Sequence, residues 1–228
     1  MELVVSTTAR RLDRAVTAAR ILSYWFADLD DRSVLDPTTE PMRTCYARWY
    51  GKSPAIDEEI RARFEADLDA VVSSDVGWLA ELDAWAEVEL GLLALVILLD
   101  QLPRNMYRGT PRMYAYDALA LAATSHAIRA YEDLDMPLVR RMFLYVPLMH
   151  VEALGVQREM TRRFERLRSL ATTRAPSSVG FFDHALRSAR RHAQVVEAYG
   201  RFPHRNPILG RASTPEEEEY LRGPDPGF

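Results

Sequence analysis

A single cysteine, Cys45, rules out an internal disulfide and suits a reducing compartment. It lies in no nucleophile motif, so a small buried hydrophobe explains it. Runs of strict apolar–polar alternation are also missing, which excludes a sheet as the organising element. No apolar run approaches the ~20 residues needed to cross a bilayer; the longest, Leu90 to Leu99, is closed by Asp100. Residues 1–20 hold no continuous apolar stretch of the secretory kind, so the expectation is a cytoplasmic protein without membrane attachment. Basic excess is lacking too: the net charge is −4, which argues against nucleic acid as a partner. The clusters Arg162–Arg168 and Arg187–Arg191 read as solvated helix faces. There is no Gly-rich phosphate loop, no Gly-x-Ser-x-Gly elbow, and no His-x-x-x-His or Glu-x-x-His pair. Neither a metal nor another cofactor is expected.

What is present is helical periodicity. With 48% hydrophobic and 27% charged residues in 228, the composition supports one globular core. Leu12 to Asp28 carries an apolar face ending in Trp25 and Phe26, which read as core anchors. Asp36-Pro37 and Ser53-Pro54 each read as an N-cap followed by proline at the first helical position. After Ser53, the residues Ile56, Ile60, Phe64 and Leu68 recur every four positions. From Ala80 the chain returns to helix and reaches Leu90–Leu99, apolar nearly all round and so buried on most sides.

Thr110-Pro111 reads as another start, leading into the alanine-rich Tyr114–Tyr131 segment. Asp135-Met136-Pro137 reads as a turn, and Pro137–Tyr145 as a short helix stopped before Pro147. Met149 to Ala171 forms a long helix, and Thr172–Gly180 a loose linker. Phe181 to Tyr199 forms the last long helix, closed by Gly200. Thr214-Pro215-Glu216-Glu217 is a capping box. The expectation is all-α: antiparallel helix pairs in a single domain spanning 1–228, with 200–228 as a C-terminal arm packed on the core.

Chemistry-bearing residues gather at two proline-stiffened bends. In the first, Pro103 has no N–H for the carbonyl of Leu99, so the core helix should end or kink there. Asp100, Gln101, Arg104, Asn105 and Arg108 surround that point. The second bend carries Arg201, His204 and Arg205, followed by Arg211. Guanidinium groups offer planar forks matched to carboxylate or phosphate. Between the bends lie His150 and Glu152, with Gln157, seven residues after His150, expected on the same helix face as His150. His150, placed at a helix start, would be kept neutral by the dipole and free to act as a base.

Three motifs in order are similar to those of a bacterial family catalogued as domain of unknown function 924, all-helical and resembling tetratricopeptide-repeat folds. They are Leu99-Asp100-Gln101-Leu102-Pro103-Arg104-Asn105 with Arg108-Gly109 and Asp117; Phe143 and Pro147-Leu148-Met149-His150 with Glu152 and Gln157; and Gly200 to Asn206, Leu209-Gly210-Arg211 and Ser213 to Glu217. Trp25-Phe26 fits as well, whereas Tyr199 stands where phenylalanine is more usual. The resemblance implies the fold and no particular reaction.

The two bends and His150 are therefore expected to converge on one polar cleft taking a small anionic or polar molecule. Arg104, Arg108, Arg201 and Arg205 would hold the anion, beside Asp100, Gln101, Asn105 and His204. His150, aided by Glu152, would move a proton, with His192 and His204 as second candidates. Against this stands a structural reading, in which the arginines pair with Asp100, Asp117, Glu152 and helix-end carbonyls within a helical scaffold that grips a peptide or partner protein. A third reading has the motifs stabilise a homodimer.

Overall fold

The computed structural model describes residues 12–131, 136–224 and 227. Among these every regular element is helical. α1 (Arg14–Phe26) starts at Asp13, whose carboxylate accepts from the Val16 N–H, and it buries Trp25 and Phe26 completely. α2 (Met42–Tyr50) buries Cys45 and most of Trp49. α3 (Pro54–Val72) starts as the sequence predicts, with Ser53 Oγ accepting from Ile56 N, and buries Ile60, Phe64 and Leu68. Asp36 does not start a helix. It closes a local turn by accepting from Thr38 N at 2.8 Å, and helix begins only at Met42.

α4 (Trp78–Ala86) stops before the apolar run, so the sequence reading that joined them is corrected. The chain reverses through Leu90, which takes a left-handed conformation (φ 52°), into α5 (Gly91–Val96). Gly91 is required here, because a Cβ would lie 2.2 Å from the Trp85 carbonyl oxygen. α5 is wholly buried and packs on α1, α7 and α8. Of the two outcomes expected at Pro103, an end or a kink, the helix does not end there. Instead one π-helical stretch (Ile97–Gln101) links α5 to α6 (Leu102–Met106), with Leu102 N–H reaching back five residues to Ile97 O. The wider turn absorbs the proline while the chain stays helical. It leaves Asp100 fully buried in the core.

Thr110-Pro111 opens only a 3-10 turn (Pro111–Tyr114), and α7 (Asp117–Tyr131) follows. Of the expected turn at 135–137, Asp135 lies outside the described residues. α8 (Leu138–Met149) runs through Pro147, where the ring disturbs just the last turn and where Pro147, Leu148 and Met149 are all buried. α9 begins only at Leu154 and extends to Arg174. The presumed linker 172–180 is ordered: Ser178 is buried, its hydroxyl donating to Ser33 O and accepting from Leu35 N, both at 2.9 Å. α10 (Val179–Tyr199) packs along α9. The ion pairs Arg168–Asp183, Arg190–Glu165 and Arg158–Glu197 run in opposite senses along the two helices, so the pair is antiparallel.

Gly200 (φ 70°) caps α10 in the left-handed region. The chain then returns through a 3-10 turn (Pro203–Arg205), α11 (Asn206–Leu209) and α12 (Pro215–Arg222). The capping box at Thr214 and Glu217 forms as predicted. This arm has its own small apolar cluster, Val195, Val196 and Phe202, beside the main core. No helix among the described residues is long and apolar enough to cross a membrane.

A buried arginine–carboxylate–histidine junction as the candidate functional site

The π-helical stretch turns Asp100 toward the end of α8. His150 Nδ1 lies 2.7 Å from Asp100 Oδ1. Gln101 Nε2 donates to the other carboxylate oxygen, and Arg104 Nη1, one turn on, lies 3.2 Å from Oδ1 while donating to the Asp100 carbonyl at 2.6 Å. Burial alone would push the Asp100 carboxyl up, but Arg104, His150 and Gln101 together hold it below the usual carboxylate value. Asp100 is therefore ionised and accepts only.

His150 is the C-terminal cap of α8, four residues before α9, so the predicted helix-start dipole does not act on it. Its proton affinity is lowered all the same, first by burial and then by the Arg104 charge, against the pull of Asp100. A neutral imidazole beside an acceptor-only oxygen must carry its proton on Nδ1, which makes Nε2 the acceptor. Among the described residues the ring bonds through Nδ1 alone, and the side chain keeps 15% exposure. Gln157, fully buried, fixes this corner: Nε2 donates to Met149 O at 2.8 Å and Val151 O at 2.7 Å, on either side of His150.

Asp117, at the start of α7, ties the two bends together. Arg104 Nη2 reaches its Oδ1 at 3.0 Å and Arg205 Nη1 its Oδ2 at 3.1 Å. Arg205 is buried, with its guanidinium 4.5 Å from the Tyr114 ring centre and 4.9 Å from that of Phe202. Its Nε is sealed from solvent and bonds to none of the described residues. Burial lowers the Arg205 proton affinity, while Asp117 opposes that shift.

His192 and His204 lie near enough to join this electrostatic neighbourhood. Burial drives His192 well below its ordinary value, and Nδ1 sits 2.8 Å from Ser188 O, so that nitrogen holds the proton. His204 falls to about 4, first by burial and then through Arg205. No group of three or more His, Cys, Asp or Glu among the described residues is arranged to hold a metal ion.

The remaining predicted residues sit in other clusters. Asn105 Nδ2 donates to Asp57 at 3.0 Å, and Arg108 grips the same carboxylate at 2.7 and 2.9 Å, tying α6 to α3. Arg201 grips Glu217 at 2.6 and 2.7 Å, with Asn206 on the same carboxylate. Arg201 and hydrogen bonds from the Thr214 backbone bring Glu217 down to about 2. Glu152, expected beside His150, is bonded elsewhere. It takes Arg211 at 2.7 and 2.9 Å and accepts from Phe202 N–H at 2.8 Å. The carboxylate serving His150 is Asp100. Asp57 and Glu217, the actual partners of Arg108 and Arg201, carried no signal in the sequence that linked them to those arginines.

The fold and this junction together define an all-helical protein in which three motifs meet through buried guanidinium–carboxylate bonds. The chain belongs to the family described as "Bacterial protein of unknown function (DUF924)", which matches residues 21–225. A solved structure of a protein of unknown function from Agrobacterium tumefaciens is similar, at 35% identity over 92% of this chain and 99% of that one, with a TM-score of 0.66. No curated protein matches the chain.

Proposed function

We propose that the junction binds a small carboxylate- or phosphate-bearing molecule and that His150 acts on it as a general base. The observation that carries this reading is the polarity of the Asp100–His150 pair. A buried, ionised carboxylate holds Nδ1–H, and among the described residues no donor meets the acceptor Nε2. That arrangement orients an imidazole for proton abstraction. Supporting the anionic part of the reading, the two guanidiniums of Arg104 and Arg205 share the single carboxylate of Asp117. Asp117 already balances part of the charge of Arg104 and Arg205, which favours a singly charged group over a polyanion.

A thermal-shift screen with small carboxylates and phosphates tests the reading on wild type, Arg104→Ala and His150→Gln. The expectation is a ligand that stabilises wild type, loses its effect in Arg104→Ala and still binds His150→Gln without turnover. Equal shifts in wild type and a folded Arg104→Ala would remove the guanidinium from the site.

A second reading draws on the engaged state of Arg108, Arg201 and Arg211, each bonded to a carboxylate by two nitrogens or two hydrogen bonds. Here the motifs lock the arm onto a scaffold of helix pairs, of the kind found in tetratricopeptide repeats, whose surface would meet a peptide. In that case no small anion stabilises the protein, and Arg104→Ala lowers stability alone.

A further inference from the structure

Away from the residues of these motifs, none of which lines it, a groove of about 530 Å³ opens between α1, the α4–α5 reversal and α8. That volume lies within the roughly 300–1,000 Å³ of small-molecule clefts. Its walls are aliphatic: Ala15, Ala18 and Leu22 from α1, Val88 and Leu90 from the reversal. One cation, Arg140 of α8, closes it. Arg140 packs its guanidinium 5.7 Å from the Phe26 ring centre, and its Nε is buried without a hydrogen-bond partner. No described carboxylate forms an ion pair with it, whereas most guanidiniums of this chain have one. Glu87 and Glu89 also line the groove, but both are exposed.

We infer that this groove binds an aliphatic monocarboxylate, with the carboxylate on Arg140 and the hydrocarbon body along α1. A half-buried guanidinium that forms no ion pair among the described residues supplies a fork for one carboxylate. Alanines on α1 leave the width of an alkyl chain, and burying each methylene contributes about 0.8 kcal/mol. Glu87 and Glu89 select against polyanions, because a second or third negative charge would meet theirs at the rim. The groove shares no lining residue with the Asp117 junction, so the two sites stand or fall separately.

Titration calorimetry with octanoate tests this on wild type, Arg140→Gln, Ala19→Phe and His150→Gln. Ala19 is exposed on the groove wall, so the phenylalanine fills the groove without entering the core. Octanoate should bind wild type and His150→Gln alike. Its affinity should fall about tenfold to a hundredfold in Arg140→Gln, the range for losing a hydrogen-bonded charge, and be lost in a folded Ala19→Phe. Citrate should not bind the groove. Failure of octanoate to bind wild type at millimolar concentration overturns the inference. So do equal affinities in wild type, Arg140→Gln and Ala19→Phe, or citrate binding that depends on Arg140.

Discussion

Arg104 and Arg205, from motifs far apart in the chain, hold opposite oxygens of one carboxylate, Asp117, at 3.0 and 3.1 Å. That carboxylate bridges the two bends directly, beside the bonds of Glu152 to Phe202 and Arg211. Asp117→Ala should therefore lower stability by about 2–3 kcal/mol, somewhat less than a fully buried pair would lose, because Asp117 keeps 23% exposure. Chemical denaturation checks this. A loss of under about 0.5 kcal/mol, the scale of an exposed pair, would mean that the bridge does not hold the bends together.

Acid should begin to weaken the fold through its buried histidines. His150, His192 and His204 all have lowered proton affinity in the folded state, His204 down to about 4. The unfolded chain, with histidines near 6.5, binds more protons in between. Stability is then full above about pH 6.5 and falls as the pH drops toward 4, by at most about 1.4 kcal/mol per pH unit for each histidine. Asp100 and Glu217, with lowered carboxyl values, add losses only at lower pH still, below the unfolded carboxylate range near 4. Denaturation midpoints between pH 7 and 4.5 measure the slope; a flat profile would contradict the buried neutral imidazoles.

Arg211→Gln should loosen the arm and leave the core intact. Arg211 joins Glu152, the Phe202 carbonyl and Asn206, so its loss removes one continuous set of bonds between the arm and the α8–α9 corner. Hydrogen exchange should accelerate across α11 and α12 while α5 and α7 remain protected. Uniform acceleration throughout would mean that arm and core unfold as one unit.

Much of this architecture is legible in the sequence because its signals are local. Ser53 with Pro54, Thr214 with Glu217, and Gly200 each act within one helical turn, and each does what its chemistry predicts. Trp25 and Phe26 read correctly since large aromatics bury wherever a core exists. Pro103 marks where the regular α-helix is disturbed, through a wide turn in place of an end, whereas Pro147 misled because a proline deletes one backbone bond and a buried apolar helix tolerates that at its last turn. The pairing of His150 was illegible. Glu152 is near in sequence, but Asp100 is near in space, and helix periodicity reports neighbours on one helix only. The same limit hid Asp57 behind Arg108 and Glu217 behind Arg201.

Asp100→Asn separates orientation from charge. The amide fits the same space, yet it offers His150 a neutral partner in place of an ionised acceptor. His150 should then protonate at still lower pH, and ligand-dependent stabilisation at the junction should weaken about tenfold or more. Imidazole titration by NMR reads the first effect and thermal shift the second. Unchanged values for both would assign Asp100 a purely structural part.

The most direct measurement is the nitrogen NMR spectrum of His150 in histidine-labelled protein at pH 7, recorded while acetate, succinate and inorganic phosphate are titrated in turn. A neutral ring protonated on Nδ1, with an Nε2 resonance that shifts on saturation by at least one of these anions and stays still in Arg104→Ala, is the predicted result. An imidazolium, or an Nε2 resonance that no anion moves, would contradict the account and leave the junction as a fastening between arm and core.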